Sequence, residues 1–469
     1  MAKRASKDER PHVVVLGGGF GGIAAARALK RAKVRVTLVD KRNHHLFQPL
    51  LYQVATAALA ATDIASPIRK VLAGQKNATV FMARAQTIDT AKKVVKLVDG
   101  EIAYDFLIVA VGMTNSYFGH DEWEPFAPGL KSLEEALEIR RRVLLAYESA
   151  ERAEGAEARR AFLTFVVVGG GPTGVELAGA LVEIAQRTMA QNFRRFDPTD
   201  ARVVLIEGGD RLLATFPPEL SEQAFHDLRD LGVEVRLNTR AKNIDAHGVD
   251  IEDERIDAET VLWGAGVAGV PVVKSMGTPM DRAGRVIVES DLSVPGAPEV
   301  FVVGDIAAAK SNGEPVPGVA QGAIQGGVHA AKMIRRILDS EPTEPFVYRD
   351  LGSMATIGRK RAVAVMGQMR MTGFVAWMAW LFVHLMALVE FRTRIFVFMQ
   401  WAWAYLTYQR SARIILDQSA PKFAEGRLAP PRSLRGELLP ALVSRRPASS
   451  TVPAPAVAAP PVPREQPPV

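Results

Sequence analysis

The sequence predicts an α/β protein in which one strand–turn–helix–strand unit occurs twice, followed by an apolar helical region near the C-terminus. Three observations predict this. Residues 13–22, VVVLGGGFGG, are an apolar strand running into closely spaced glycines, and residues 165–174, FVVVGGGPTG, repeat the pattern. Residues 373–389, GFVAWMAWLFVHLMALV, and 395–408, IFVFMQWAWAYLTY, carry no Asp, Glu, Lys or Arg. A chain of 469 residues also exceeds the roughly 250–300 that one hydrophobic core spans, so more than one domain is expected. With 48% hydrophobic and 23% charged residues it is too apolar to be disordered and too charged to be a polytopic membrane protein.

In the first unit Gly17, Gly19 and Gly22 have the spacing GxGxxG, an alanine-rich helical stretch follows, and the strand VRVTLVD ends in Asp40, 18 residues after Gly22. In the second, Gly169, Gly171 and Gly174 lead into the helix VELAGALVEIA and the strand RVVLIE, which ends in Glu207, 33 residues after Gly174. That longer interval predicts an extended helix and the polar insert NFRRFDPTD before the strand. The three glycines have separate tasks: the first permits the tight turn, the second lets main chain approach a pyrophosphate, and the third packs helix on strand. The helix N-terminus then offers free N–H groups and its dipole to the phosphates. The strand-terminal acid takes a ribose hydroxyl and repels a 2′-phosphate. Both units therefore read as Rossmann-like dinucleotide-binding folds. A third apolar strand, VFVVGD, ends in Gly304 and Asp305 ahead of IAAA, where the acid either caps a helix or holds a hydroxyl-bearing chain.

Composition limits the chemistry. The absence of cysteine removes disulfides, zinc ribbons, iron–sulfur clusters and thiol catalysis, so any electrons must travel on a bound cofactor. The net charge of +7 does not point to nucleic acid, because residues from Ser353 onward carry +10 and residues 1–352 carry −3. No His, Asp and Glu cluster has metal-ligand spacing, so no catalytic metal is expected. After MAKRASKDERPH only VVVL precedes the glycines, well short of the roughly 7 to 15 apolar residues of an export signal, which predicts an unexported protein with a frayed start over residues 1–10. Residues 417–469 hold 12 of the 29 prolines and read as a disordered Pro/Ala-rich tail.

The first glycine signature with Asp40, the strand FLIVAVG ending at Gly112, and VFVVGDIAA together resemble the FAD contacts of two-dinucleotide-domain flavoprotein reductases. The segment HHLFQPLLYQVA (residues 44–55), LWGAGV, GVAQGAIQGG and the aromatic C-terminus narrow the resemblance to the type II NADH dehydrogenases, single-chain NADH:quinone oxidoreductases that do not pump protons. The resemblance covers roughly residues 11–416. It implies an FAD domain in two parts, 11–120 and 290–345, an NADH domain at 121–289 inserted between them, and a membrane-anchoring and dimerisation region at 346–416. It also implies that Gly17, Gly19, Phe20, Gly21, Gly22, Asp40, Lys41, Pro49, Gly112, Gly304, Asp305, Ala320 and Gln321 hold non-covalent FAD. Gly169, Gly171, Thr173, Gly174, Glu176, Glu207 and Gly266 match the NADH site. Glu176, Gln321 and Gln325 match positions near the nicotinamide, the flavin ring and the quinone, and are the expected catalytic residues. The implied partners are NADH, a membrane quinone, an anionic lipid surface and a second copy of the chain, on the cytoplasmic face of the cell inner membrane.

Related layouts such as lipoamide dehydrogenase, glutathione reductase and sulfide:quinone reductase need reactive cysteines, which this chain lacks. Two acceptors remain, a quinone or a ferredoxin-like protein. Four of the six tryptophans and 11 of the 33 aromatic residues fall in positions 373–408, flanked by Arg359, Lys360, Arg361, Arg370, Arg392, Arg394, Arg410 and Arg413. Aromatic rings with basic flanks suit a lipid headgroup boundary and favour the quinone. Seventeen helical residues reach about 25 Å, short of the roughly 30 Å hydrocarbon core, so monotopic insertion with some dimer contact is expected over a spanning or internal role. Gln321, Gln325 and His329 recur every four residues and share a helix face, where the amides either bond a quinone carbonyl or are satisfied by main chain. Glu176, placed in the first helical turn, gains from the helix dipole in any role; it also suits nicotinamide positioning or proton relay. His384 is expected as a polar tip at the membrane interface or a dimer contact.

Overall fold

The computed structural model describes residues 9–252, 254–407, 410 and 412–415; the expected tail and nearly all of the frayed start lie outside the described residues. The chain first lays down β1 (His12–Leu16), β2 (Arg35–Asp40), β3 (Ala78–Met82) and β4 (Phe106–Val109). It then builds a separate four-stranded parallel sheet from β5 (Thr164–Val168), β6 (Arg202–Ile206), β7 (Val233–Arg236) and β8 (Thr260–Trp263). Only then do β9 (Ser293–Val294) and β10 (Ala297–Val302) return to complete the first sheet. The strand orders are β9-β10-β4-β1-β2-β3 and β7-β6-β5-β8. An antiparallel ribbon, Met113–Asn115 against Val267–Gly269, joins the two units.

The central strands are continuous apolar runs because helices cover both faces of a parallel sheet; β1, β4, β5 and β8 are buried along their whole length. Helices α1 (Phe20–Ala28), α2 (Leu133–Arg152), α3 (Pro172–Glu183), α4 (Pro218–Leu231) and α5 (Ala320–Leu338) supply the cover. Ser132 caps α2 by accepting the Glu135 N–H. The expected long helix before Glu207 is present: α3 runs on through a π-helical turn at Ile184–Thr188, and irregular chain with a 3₁₀ turn at Pro198–Asp200 follows.

The C-terminal part is an antiparallel sheet, β11 (Ser353–Gly358), β12 (Arg361–Met366) and β13 (Met369–Thr372), carrying α6 (Gly373–Ala387) and α7 (Phe391–Thr407). Trp380 of α6 and Val397 of α7 are fully buried, whereas Phe374, Phe382, Phe391, Phe398, Trp403 and Leu406 are exposed. No described helix is long and apolar enough to cross a membrane.

This part is seated on α3, where a Cβ added at Gly179 would lie 1.7 Å from the Ile357 carbonyl oxygen. Main chain meets main chain there, so no side-chain rotation relieves a substitution. Gly179→Ala is expected to cost about 1–3 kcal/mol through overpacking. Thermal unfolding of the full chain, together with limited proteolysis around residues 353–372, checks the loss of stability.

Candidate active site

The two glycine loops share one close approach. A Cβ at Gly22 would lie 1.8 Å from the Gly17 oxygen, and one at Gly174 would lie 1.8 Å from the Gly169 oxygen. In both units the third glycine thus lets the helix start press onto its own turn. The strand-terminal acids are equivalent as well. Asp40 accepts from the Gly18 N–H at 2.6 Å and the Arg42 N–H at 2.7 Å, and Glu207 accepts from the Gly170 N–H at 2.5 Å and the Gly209 N–H at 2.6 Å. The 33-residue interval before Glu207 leaves its position at the loop unaltered.

The first unit gathers its residues from three distant stretches. A Cβ at Gly17 would lie 2.3 Å from the Ala110 oxygen, which sets the loop beside the end of β4 and Gly112. Gly21 and Gly304 both face Ala323, where an added Cβ would lie 3.0 Å from its oxygen and 3.1 Å from its Cβ respectively, so Ala320 and Gln321 open α5 at the same place. The Asp305 carboxyl lies 3.7 Å from the Cβ position of Gly318 and has no protein hydrogen bond among the described residues. Phe20 packs edge-on to His45 and Phe47, and the His45 ring Nδ1 is 2.9 Å from the Gly18 oxygen. Lys41 follows the Asp40 strand end, and Pro49 lies in the turn Gln48–Leu50. A loop with free helix N–H groups, an acid for a ribose and an unpartnered acid on the opposite strand fit a flavin dinucleotide.

In the second unit Gly171 caps α3, with Pro172 and Thr173 opening the helix. The Gly169 turn abuts residues 264 and 265, its Cβ position lying 2.7 Å from the Ala265 nitrogen, so Gly266 sits beside the loop with φ +71°. Glu176 needs a correction. With α3 beginning at Pro172 it is the fifth residue, beyond the first turn, so the helix dipole does not hold it ionised. Burial instead pushes its pKa well above the ordinary carboxylate value, against a smaller opposing effect from the Thr356 N–H that donates to it.

Two further expectations change. Gln325 donates to the Arg349 carbonyl and accepts the Arg349 N–H, both at 2.9 Å, so its amide pins an extended segment rather than standing free for a quinone. His329 packs on Phe346. His384 is no polar tip: its ring stacks on Trp380 at 4.2 Å, its Nδ1 meets the Trp380 oxygen at 2.8 Å, and burial brings its pKa down to about 4. It therefore remains neutral at physiological pH.

Sequence reasoning missed a polar link across the module boundary. Trp401 of α7 donates to Gln53 at 2.8 Å, and Gln53 donates to the Tyr52 hydroxyl at 2.9 Å. Burial, reinforced by Glu176, raises the Tyr52 pKa. Arg410 joins Glu183 at 3.0 Å and the Thr56 carbonyl at 2.7 Å. The dipeptide Tyr52–Gln53 inside an apolar run was the available clue. A cavity of about 930 Å³, lined among others by Leu144, Phe193, Phe396, Met399 and Trp403, has no residue of either glycine loop in its lining and is not the dinucleotide site.

This fold and site define a two-dinucleotide-domain oxidoreductase: residues 11–327 match the pyridine nucleotide-disulphide oxidoreductase family, and residues 351–409 match the NDH2 C-terminal domain. The type II NADH:quinone oxidoreductase Ndh of Mycobacterium tuberculosis is 43% identical over 461 residues, covering 95% of this chain and 98% of its own. NdhA of the same organism is 45% identical over 427 residues, covering 87% and 90%. The structure of NDH2 from Plasmodium falciparum in complex with NADH superimposes with a TM-score of 0.80 at 20% identity, over 86% of this chain and 99% of that one. A ferredoxin reductase from Rhodopseudomonas palustris shares the fold at a TM-score of 0.61 and 20% identity, over 76% of this chain and 82% of that one. The chain belongs to the type II NADH:quinone oxidoreductase family.

Glu176 gives the site a pH signature. Its folded pKa lies above its unfolded value of 4.5, so the stability it contributes is complete below that value and is lost as pH rises through the folded pKa. Glu176→Gln removes this dependence. The variant is expected to be more stable than the natural protein above neutrality, with the gap closing toward acid at no more than about 1.4 kcal/mol per pH unit. Unfolding midpoints measured from about pH 5 to about pH 9 check the convergence.

Proposed function

We propose that this chain oxidises NADH and reduces a membrane quinone at a lipid surface, with FAD bound between the two tasks. The repeated glycine–acid geometry, set beside a C-terminal part with an exposed apolar face, carries this reading. Gly17, Gly19, Phe20, Gly21, Gly22, Asp40, Gly112, Gly304, Asp305, Ala320 and Gln321 hold FAD, with Lys41 and Pro49 at its rim. Gly169, Gly171, Thr173, Gly174, Glu207 and Gly266 hold NADH. FAD, when bound, supplies a two-electron carrier able to accept hydride from NADH and to reduce a quinone.

The chain's own residues supply the rest. The N-termini of α1 and α3 face the two pyrophosphates. Glu207 accepts a ribose hydroxyl and disfavours a 2′-phosphate, which selects NADH over NADPH. Glu176, its pKa raised by burial, is the carboxyl that favours its protonated form in a reaction in which the quinone takes up two protons. Gln321 at the start of α5 is the amide available for a quinone carbonyl, and Gln325 supports the site by fixing the segment at Arg349.

The exposed rings of α6 and α7 enter the headgroup region, and Arg392 and Arg394 meet an anionic leaflet at about 1 kcal/mol each. The protein sits as a homodimer on the cytoplasmic face of the cell inner membrane. A ferredoxin-like acceptor would give this apolar face no partner, so the quinone is preferred. The deciding experiment mixes purified protein with NADH under anaerobic conditions and then adds a short-chain quinone. Bleaching of the yellow colour followed by its return supports the reading, and a colourless preparation that takes up no flavin defeats it.

The membrane half has its own test. Replacing both Phe382 and Phe398 by Asp is expected to lower vesicle binding by tenfold or more, since each change removes apolar area worth roughly 2 kcal/mol from the interface. Turnover of long-chain quinone in vesicles falls with it, while bleaching by NADH is unchanged. Vesicle co-sedimentation and stopped-flow absorbance separate these effects.

A further inference from the structure

Phe118 is an exposed phenylalanine in a left-handed conformation, and both features lack a local reason. Its φ is +55° and that of Gly119 is +96°, within a turn closed by the His120 N–H to the Tyr117 carbonyl at 3.1 Å. Turns with positive φ at both central residues favour Asn–Gly, and a bulky residue at the first position is an outlier. Burial does not compensate, because Phe118 is 68% exposed. The ring nevertheless has a fixed place. Its Cζ lies 2.5 Å from where a Cβ on Gly266 would stand, and it lies 6.2 Å from the Trp263 ring. The turn is tied to the same strand end: Ser116 donates to the Gly266 carbonyl at 3.4 Å and accepts at its carbonyl from the Trp263 indole at 3.0 Å.

Topology says which part of a bound dinucleotide meets this ring. In the order β7-β6-β5-β8, the loop Gly169–Gly174 follows β5, Glu207 ends β6 on one side, and Gly266 follows β8 on the other. A dinucleotide whose pyrophosphate lies at the loop and whose adenosine ribose reaches Glu207 extends its other half past β8. The ribbon from Met113–Asn115 to Val267–Gly269 leads from that end toward the first unit.

We propose that Phe118 is a positioning residue for the nicotinamide half of NADH, its ring covering Gly266 in the free protein and forming the flat wall against which the nicotinamide riboside lies once bound. The inference rests on the NADH reading of the second unit and deepens it. Aromatic rings stack in offset or edge-on arrangements that restrict orientation, which is what hydride transfer from one face of a pyridine ring requires.

The test measures calorimetric binding of NAD⁺ and of ADP-ribose, which lacks the nicotinamide, to the flavin-loaded full chain. Phe118→Asn removes the ring and installs the favoured Asn–Gly pair, so the turn is kept. Phe118→Trp keeps an aromatic wall. The expected result is an NAD⁺ Kd raised about fivefold or more in Phe118→Asn, an ADP-ribose Kd unchanged within about twofold, and NAD⁺ binding retained in Phe118→Trp. Unchanged or tighter NAD⁺ binding in Phe118→Asn overturns the proposal, because the ring would then be irrelevant or a mere obstruction. Equal weakening of both ligands overturns it by placing the effect on the adenosine half. A natural protein that binds neither ligand overturns the NADH reading itself and this inference with it.

Discussion

The closeness with which each glycine loop returns to its own strand end sets the rest of the site. At Gly22 and Gly174 a single methyl group would stand 1.8 Å from a carbonyl oxygen, well inside any tolerable contact. Only with that approach do α1 and α3 start near enough to their sheets to point their free N–H groups across the strand ends. The same return lets the Gly18 N–H donate to Asp40 at 2.6 Å and the Gly170 N–H donate to Glu207 at 2.5 Å, which fixes both carboxylates before any nucleotide arrives. Preorganised acids lose little freedom on binding a ribose, so the loop geometry serves affinity as well as shape.

From α3 the constraint reaches the C-terminal part. The helix that opens at Gly171 also carries Glu176, Gly179 and Glu183 along its length. Gly179 lets β11 lie against it, the Thr356 N–H of that strand reaches Glu176, and Glu183 accepts the Arg359 N–H at 2.6 Å and the Arg410 guanidinium at 3.0 Å. From the other side Trp401 reaches into the first unit through Gln53 and Tyr52. The apolar helices are therefore fastened to both nucleotide units by hydrogen bonds formed away from their exposed rings.

The duplicated units, their acids and the two apolar helices were legible in the sequence because each is a short-range pattern: glycine spacing, strand length, absence of charge. Glu207 was readable despite its 33-residue interval, since the intervening helix could be seen to lengthen. Other features depended on long-range contacts that no spacing records. Gln325 looked like a site residue by its helix register, yet the partner that engages its amide lies 24 residues away in irregular chain. Glu176 was misjudged because its environment is set by burial and by the Thr356 N–H, not by its distance from the helix start. His384 turns inward because Trp380, four residues earlier, offers a carbonyl and a ring on the same face. Phe118 left no trace at all, since its meaning is a dihedral angle and a neighbour at Gly266.

The titratable groups between the first glycine loop and the apolar helices share one property. Glu176 and Tyr52 have pKa values raised by burial and His45 and His384 have theirs lowered, so each is displaced toward its uncharged form. The charged pair nearby, Glu183 with Arg410, is internally compensated. An interior biased toward neutral groups avoids an unpaired buried charge, which would cost several kcal/mol. The chain also has no cysteine to take electrons in another direction. The strain of about 1–2 kcal/mol in a left-handed Phe118 is a further local cost, retained beside Gly266 at the end of β8.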